Sequence, residues 1–256
     1  MSDHIKIQKN DGVLEILFAR PDKKNALTNE MYRAAREALE DALQDNSVRV
    51  VLFGAEGDAF TAGNDLGDFA NVSAGKGGEP QAHHFIQAIG QFAKPIVAAV
   101  PGIAVGVGTT MLLHCDLVYV ADTAKLSAPF VNLALVPEAA SSLLITARIG
   151  HARAFATFAL GESISGPEAV ALGLANKSLP QSEVLQTART TAQTLAKKPA
   201  GSLFATKQLM RDVQSILNRM EQESVQFRER LKSDEAREAF SAFAERRAPD
   251  FTKFTA

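Results

Sequence analysis

The feature that most constrains this 256-residue chain is a series of short apolar segments that alternate with segments of helical periodicity. VRVVLFGA (residues 48–55) is apolar except for Arg49, and it follows NEMYRAAREALEDALQ (29–44), whose apolar residues recur at helical spacing. Strands that are apolar on both faces are typical of parallel sheets covered by helices. The alternation continues with a helix-like, a strand-like, a helix-like and a strand-like segment: HHFIQAIGQFA (83–93), KPIVAAVPG (94–102), GVGTTMLLHCD (106–116) and LVYVAD (117–122). We therefore expect an α/β fold.

Local signals predict where several elements begin. Asp11 and Gly12 separate two alternating segments and predict a β-hairpin. Thr28 is a predicted helix N-cap, as is Ser182, and SGPE (165–168) has the form of a capping box.

Helical segments dominate from about Glu138 onward. We expect a core over residues 1–198 and a helical region over 199–256, which is amphipathic and charge-rich. Such a region is expected to pack against the core or against a neighbouring subunit.

Charge and cysteine content exclude several classes of protein. The net charge is −2, which does not favour nucleic acid or an anionic membrane as a partner. Cys115 is the single cysteine, so no internal disulfide can form, and we expect it to be buried.

The N-terminal residues have no secretory signal and the last three are not a peroxisomal address, so the expected location is the cytoplasm. His83 and His84 have no further ligand at suitable spacing, and no metal site is expected.

Two glycine-containing stretches carry the first indication of chemistry. In FTAGNDL, Gly63 allows a sharp turn that leaves the N–H of Asn64 unpaired. In VPGIAVGVGTT, Gly106 and Gly108 flank Val107 at a predicted helix start, where the first N–H groups have no intrahelical partner. Two such N–H groups directed at one point would form an oxyanion hole. Either stretch alone is more often an ordinary turn.

Glu138 is the one charged residue in NLALVPEAASSLLI (132–145). A lone carboxylate in apolar surroundings has a raised pKa and suits a general base. Taken locally, however, Pro137 and Glu138 also fit a helix start, where an acidic side chain favours the helix dipole.

Together these motifs resemble the enoyl-CoA hydratase/isomerase superfamily, the crotonase fold. RPDKKNAL, AFTAGNDL, KPIVAAVPGIAVGVGTTMLLHCDLVYVAD, NLALVPEAASSLL and ISGPEAVALGLANK occur in the order and spacing of that superfamily, over nearly the whole chain. The resemblance implies a spiral of ββα units, a C-terminal helical region used in trimerisation, and a homotrimer or a dimer of trimers. It also implies acyl-CoA thioester substrates and no separate cofactor, because coenzyme A arrives as part of the substrate.

The resemblance also implies roles for particular residues. The N–H groups of Asn64 and Val107 form the oxyanion hole around the thioester oxygen, although many relatives have glycine at the position of Val107. Lys24 is a candidate for the CoA phosphates, with solvated lysines as the alternative, and the backbone near Ala26, Ala62 and Leu66 lies against the adenine. Asp65 is expected to brace its loop. The complete expected substrate-binding set is Lys24, Ala26, Leu27, Ala62, Gly63, Asp65, Leu66, Gly106, Thr110, Phe130 and Lys253.

Two departures from the family pattern narrow the expected activity. The two glutamates with which family hydratases activate water correspond to Thr110 and Phe130, neither of which can act as a base. Glu138 corresponds to the catalytic glutamate of peroxisomal-type Δ3,Δ2-enoyl-CoA isomerases. We therefore expect an enoyl-CoA isomerase in fatty acid metabolism, with Glu138 as a proton shuttle.

Alternatives remain open at this stage. An atypical hydratase or an acyl-CoA hydrolase would need another acid or base, for which Asp68 is the nearest candidate. The loss of two family carboxylates also fits an acyl-CoA-binding homologue or a scaffold subunit without turnover. Acyl chain length is left open, because the loop NVSAGKGGEPQ (71–81) that would shape the tail pocket has no readable conformation.

Overall fold

A computed structural model describes residues 3–68 and 78–254. The loop at 71–81 is expected to shape the pocket for the acyl tail, and most of it lies outside the described residues. Thr255 and Ala256 lie outside them as well. None of the helices in the described part is both long enough and apolar enough to cross a membrane.

The strands form two sheets. Their bounds are β1 Ile5–Asn10, β2 Val13–Phe18, β3 Val50–Ala55, β4 Ala59–Thr61, β5 Ile96–Val100, β6 Ile103–Val105, β7 Leu117–Ala121, β8 Lys125–Ser127, β9 Ile164–Ser165 and β10 Lys177–Leu179. The larger sheet has the order β1-β2-β3-β5-β7-β10, and the smaller has the order β4-β6-β8-β9. Pairing is parallel except at β1/β2 and β8/β9.

Successive strands alternate between the two sheets. β3, β5 and β7 belong to the larger sheet, and the strand that follows each of them belongs to the smaller one. Each ββ pair with the helix after it is therefore one turn of a spiral, which confirms the expected fold. β3 and β5 are buried along their whole length, as their apolar sequences predict.

Helices cover the sheets and fill the ends of the spiral. Their bounds are α1 Asn29–Gln44, α2 Gln81–Gln91, α3 Val107–Thr110, α4 Ser141–Ile149, α5 His151–Phe155, α6 Gly166–Ala171, α7 Gln181–Ala196, α8 Ala200–Met210, α9 Val213–Leu231 and α10 Asp234–Glu245. Short 3₁₀ turns occupy Pro21–Lys23, Met111–His114 and Val131–Leu133, and a π-helical turn occupies Ala156–Leu160.

Most of the predicted local signals are confirmed. The hairpin turns through Asp11 and Gly12, both with positive φ, as a tight two-residue hairpin requires. The Thr28 side chain accepts a hydrogen bond from the Met31 N–H, and Ser165 and Glu168 form the capping box. Cys115 is buried.

Two local predictions are wrong. Ser182 does not cap its helix, because α7 begins at Gln181 with Pro180 in the N-cap position. The segment after Gly106 is only four residues of α-helix followed by a 3₁₀ turn. Helices dominate after Glu138 as predicted, and the two short strands in this part, β9 and β10, belong to the smaller and the larger sheet.

The C-terminal helices pack on the core of the same chain. α9 contacts α2, and α10 contacts the turn at Val131–Leu133. A domain boundary at residue 199 and trimerisation both stay predictions.

Candidate active site

The candidate site begins where two neighbouring parallel strands end. In the smaller sheet Thr61 of β4 is paired with Ala104 of β6, and Asn64 and Val107 each lie three residues beyond this pair. Because parallel strands end at the same edge of a sheet, the two segments that follow run side by side. Gly63 has φ +89°, and a Cβ there would lie 2.9 Å from the Val105 carbonyl oxygen, so only glycine permits this close approach.

The N–H groups of Asn64 and Val107 are the candidate donors at this edge. Gly106, with φ 57°, precedes α3, so the Val107 N–H is the first of the helix. Leu27 holds the other segment through its N–H to the Gly63 oxygen (2.8 Å) and its oxygen to the Asp65 N–H (2.9 Å). Within residues 3–68 and 78–254, neither the Asn64 N–H nor the Val107 N–H donates to an acceptor. Two free N–H groups at one sheet edge are what an oxyanion hole requires.

A cavity of about 400 Å³ opens beside these strand ends, between α1, α2 and α9. Asn64, Glu138 and Leu27 line it, while Val107 is only 2% exposed and is not part of the lining. The wall is largely apolar near α2 and α9, and it carries polar groups as well. Its remaining residues are Asn29, Tyr32, Asp68, Glu79, Pro80, Ala82, His83, His84, Ile86, Ala139, Met220, Ser224, Phe227, Arg228 and Leu231.

Glu138 faces this cavity with an unpaired carboxyl group. Its side chain has no hydrogen bond or ion pair with the part of the chain that the structure describes. Burial, reinforced by the negative charge of Glu223, raises the pKa of Glu138 to about 8. A carboxylate in this state is a stronger base than one in water.

The loop that carries Glu138 has an unusual backbone. Ala139 and Ala140 both have positive φ (61° and 54°), and α4 begins only at Ser141. Glu138 therefore lies before the helix rather than in its first turn. The His114 ring nitrogen Nε2 lies 2.8 Å from the Ala139 oxygen, and Glu223 Oε2 accepts the Ala140 N–H at 2.6 Å.

Tyr32 joins the two halves of the site. Its hydroxyl donates to Asn64 Oδ1 at 2.5 Å, and it lines the same cavity as Glu138. Burial raises the pKa of Tyr32 well above its usual value, and the charge of Glu138 adds to the effect. Tyr32 thus remains a protonated donor throughout the neutral range.

Comparison with known proteins assigns this arrangement to a family. A family model described as enoyl-CoA hydratase/isomerase matches residues 8–254. The chain belongs to the enoyl-CoA hydratase/isomerase family.

Relatives within the family carry different names. "Enoyl-CoA delta isomerase 2" of Rattus norvegicus is 34% identical over 253 residues, which cover 96% of this chain but 64% of the rat protein, so this chain spans just under two thirds of that relative's length. A "Probable enoyl-CoA hydratase" of Bacillus subtilis is 30% identical, covering 94% of this chain and 96% of that one. The crystal structure of an enoyl-CoA hydratase/isomerase from Pseudoalteromonas atlantica T6c superposes with a TM-score of 0.92 at 39% identity, covering 98% of this chain and 100% of that chain.

The lysines expected to contact coenzyme A are engaged elsewhere in this family member. The exposed Lys24 Nζ lies 2.8 Å from an oxygen of Asp58, and Lys253 Nζ lies 3.0 Å from Glu238 Oε2. Neither lysine lines the cavity. Lys24 as a contact of the CoA phosphates and Lys253 as a contact of the nucleotide both stay predictions.

Other residues expected at the site form its supports. Asp65 accepts a hydrogen bond from the Arg20 guanidinium at 2.7 Å, and its other oxygen accepts the Asp68 N–H at 3.1 Å, which fits the expected bracing role. Thr110 and Phe130, at the positions of the family's hydratase glutamates, are buried and are not part of the cavity lining. Ala26, Ala62, Leu66 and Gly106 also lie outside the lining, and their contacts with substrate stay predictions.

The sequence patterns did not predict three residues of the site. Tyr32, His114 and Glu223 each act through a contact with a residue at least 25 positions away. A usable signal was present for Tyr32, which is the one hydroxyl-bearing residue on the buried face of α1. His114 and Glu223 gave no comparable signal beyond being polar residues on predicted apolar faces.

Proposed function

We propose that this protein is an enoyl-CoA isomerase that moves the double bond of a 3-enoyl-CoA thioester to position 2. The observation that carries the proposal is Glu138, a desolvated carboxyl group that faces the same cavity as Asn64 and has no hydrogen bond or ion pair with any described residue. Support also comes from the family match and from relatives named as isomerases.

The reaction needs one base that moves one proton. The Glu138 carboxylate removes a proton from C2, and the electron pair left behind delocalises over C2, the thioester carbonyl and the C3–C4 double bond. The negative charge that develops on the thioester oxygen is stabilised by the N–H groups of Asn64 and Val107, a contribution of about 3–4 kcal/mol per donor in comparable enzymes. The protonated Glu138 then returns the proton to C4, which leaves a C2–C3 double bond and a regenerated carboxylate.

The surroundings of Glu138 favour this reaction over hydration. Water addition needs groups that orient and deprotonate a water molecule, and Thr110 and Phe130 at the family's positions for those groups are buried and unable to act as bases. Desolvation raises the basicity of Glu138.

A second candidate is hydration of a 2-enoyl-CoA with Asp68 as the additional carboxylate. Asp68 lines the same cavity as Glu138, and relatives named as hydratases belong to the same family. One of its oxygens already accepts the Asn29 N–H at 2.6 Å. That oxygen is therefore already occupied by a backbone donor, whereas the Glu138 carboxyl group has no hydrogen bond with the described residues, so we place isomerisation first.

The deciding experiment compares two substrates and three proteins. Wild type, Glu138→Gln and Glu37→Gln are assayed with a 3-enoyl-CoA and with a 2-enoyl-CoA, and acyl-CoA binding is measured by calorimetry. Glu37 is an exposed residue of α1 and controls for the substitution itself. We expect isomerisation of the 3-enoyl substrate, loss of the rate by about a thousandfold in Glu138→Gln, and retained binding. Hydration of the 2-enoyl substrate with no isomerisation would overturn the proposal, and binding without any turnover would identify a non-catalytic acyl-CoA-binding protein.

A further inference from the structure

The loop that presents Glu138 is held in a conformation that its own residues do not favour. Ala139 and Ala140 are consecutive non-glycine residues with positive φ. The left-handed region is unfavourable for alanine, so such a pair persists only where surrounding contacts fix it. The contacts of this loop therefore determine where the Glu138 carboxylate points.

Glu223, on helix α9, makes most of these contacts. It lies on α9, 83 positions beyond Ala140, and is 7% exposed. Its Oε2 accepts the Ala140 N–H at 2.6 Å, and its Oε1 accepts both the Ser142 N–H at 2.9 Å and the Ser142 hydroxyl at 2.5 Å. A side chain that accepts three hydrogen bonds from two residues, two positions apart, fixes both the loop and the first turn of α4.

His114 holds the same loop through a hydrogen bond to its backbone. Its Nδ1 lies 2.9 Å from an Arg211 guanidinium nitrogen, which can only donate, so Nδ1 accepts and Nε2–H donates to the Ala139 oxygen. Burial, reinforced by the charge of Arg211, lowers the pKa of His114 to about 3, so the ring stays neutral. The peptide group between Ala139 and Ala140 is thus held at its oxygen by His114 and at its N–H by Glu223.

We propose that Glu223 is a positioning residue for Glu138, which holds the left-handed loop through three hydrogen bonds and sets its negative charge against the Glu138 carboxylate. The proposal extends the proposed function, in which Glu138 is the base. Glu223 touches no substrate in this scheme and acts only through Glu138 and its loop.

The charge of Glu223 should tune the base as well as place it. Two carboxylates in a poorly solvated region disfavour each other's ionisation, and Glu223 is the charged neighbour that raises the pKa of Glu138. Burial also raises the pKa of Glu223, but its hydrogen bonds from Ser142 and Ala140 favour the charged form. Arg219, whose guanidinium lies 3.4 Å from the Ser142 hydroxyl, favours that form as well.

Other ionisable groups also lie around Glu138, and none of these residues is substituted in the test. These are Tyr32 from α1, His114 from the 3₁₀ turn, Arg219 from α9, and Asp68, Glu79, His83, His84 and Arg228 around the cavity. The charge of Glu223 is isolated by changing that residue alone.

A purely structural role for Glu223 predicts something different. Ala140, at the N-cap position of α4, has no side-chain acceptor, so Glu223 could simply cap this helix from outside. A neutral amide oxygen can accept hydrogen bonds as a cap does, but it carries no charge. Glu223→Gln therefore removes the charge and keeps one of the two acceptor oxygens, and the Glu138 titration midpoint is the readout of the charge, because a cap without charge would not shift it.

The test measures the pH titration of the Glu138 carboxyl group in the ligand-free protein, and it needs no activity assay. Protein labelled with ¹³C at the glutamate carboxyl carbon is titrated by NMR, and the Glu138 signal is the one that disappears in Glu138→Gln. We expect the Glu138 midpoint to fall by about one pH unit in Glu223→Gln, because a like charge is removed. Glu221→Gln, on the same helix with a 61% exposed side chain, should leave the midpoint unchanged. A folded Glu223→Gln protein with an unchanged midpoint would overturn the proposal.

The kinetics of a second variant, Glu223→Asp, test the positioning role. Glu223→Asp retains the charge but is too short to reach both N–H groups, so we expect kcat to fall about tenfold or more with KM little changed. An aspartate variant with wild-type kcat would contradict the positioning role, and this measurement replaces the titration if Glu223→Gln does not fold. If the wild-type protein proves not to isomerise 3-enoyl-CoA, the NMR midpoints still decide whether Glu223 acts on Glu138.

Discussion

The Tyr32 hydroxyl donates a hydrogen bond to Asn64 Oδ1 at 2.5 Å and lies in the wall of the cavity that Glu138 faces. This bond links α1 to the turn after β4. Asn64 contributes its backbone N–H to the proposed oxyanion hole, so a fixed side chain keeps that N–H in its orientation. Tyr32 is also close enough to Glu138 for the carboxylate charge to raise its pKa.

Tyr32→Phe should therefore impair the reaction without disturbing the fold. Removing the hydroxyl leaves Asn64 free to rotate and weakens one of the two oxyanion donors, so we expect kcat to fall about tenfold, less than the hundredfold or more that follows complete loss of a donor. Steady-state kinetics with a 3-enoyl-CoA measure this. Tyr119→Phe is the matched control, because Tyr119 is the other tyrosine of the chain and its hydroxyl accepts a hydrogen bond from Thr191 on α7, away from the cavity lining. Equal kinetics in the two variants would contradict the role of Tyr32.

The rate should depend on pH through Glu138. Its pKa is raised to about 8 in the free protein, and the carboxylate is the active form, so only about a tenth of the protein is active at pH 7. We expect kcat/KM to rise about tenfold per pH unit up to about pH 8 and to level off above it. A profile measured from pH 5.5 to 9.5 tests this. A flat profile between pH 6 and 9 would mean that Glu138 is not the base.

Local sequence signals predicted much of the fold because they act over a few residues. The Asp11–Gly12 turn, the Thr28 cap and the Ser165 capping box each depend on residues at most three apart. Ser182 failed as a cap because Pro180 fixes a suitable backbone two residues earlier and the helix starts there. β9 and β10 are two and three residues long, too short for a periodic pattern.

The site was predictable only where it rests on special local chemistry. Gly63 and Gly106 pointed to free N–H groups nearby, and Glu138 stood out as a charge in an apolar segment. The residues that hold these groups in place do so through contacts between distant parts of the chain, as in Glu223 with Ala140. No periodicity in a single sequence identifies such a pair.

Glu138→Gln should stabilise the protein while it abolishes the reaction. The pKa of Glu138 is raised from 4.5 to about 8 on folding, so the folded state binds its proton more tightly than the unfolded state does. The resulting stability is present below about pH 4.5 and is lost as pH rises through about 8. Glutamine stays neutral at every pH, so we expect its advantage to be near zero at pH 4.5 and about 2–4 kcal/mol at pH 8, allowing for partial solvent exposure.

Urea unfolding of the two proteins at pH 5 and at pH 8 measures this difference. Glu37→Gln, in which an exposed glutamate of α1 is changed, should show no such pH-dependent gain. A Glu138→Gln protein that is less stable than wild type at pH 8 would show that the carboxylate has a stabilising partner.

Gly63→Ala should disrupt the edge at which the two strands end. The added Cβ would lie 2.9 Å from the Val105 oxygen, and φ at this position is +89°, so the backbone must shift and carry the Asn64 N–H with it. We expect a loss of about 1–3 kcal/mol in the free energy of unfolding and a fall in kcat of at least tenfold. Gly201→Ala is the control, because a Cβ at that helical position meets nothing within 4 Å, and it should stabilise the protein by about 0.5–1 kcal/mol. Thermal unfolding and kinetics of both variants test the pair, and a Gly63→Ala protein with wild-type stability and rate would show that the close approach of these two segments does not matter to the site.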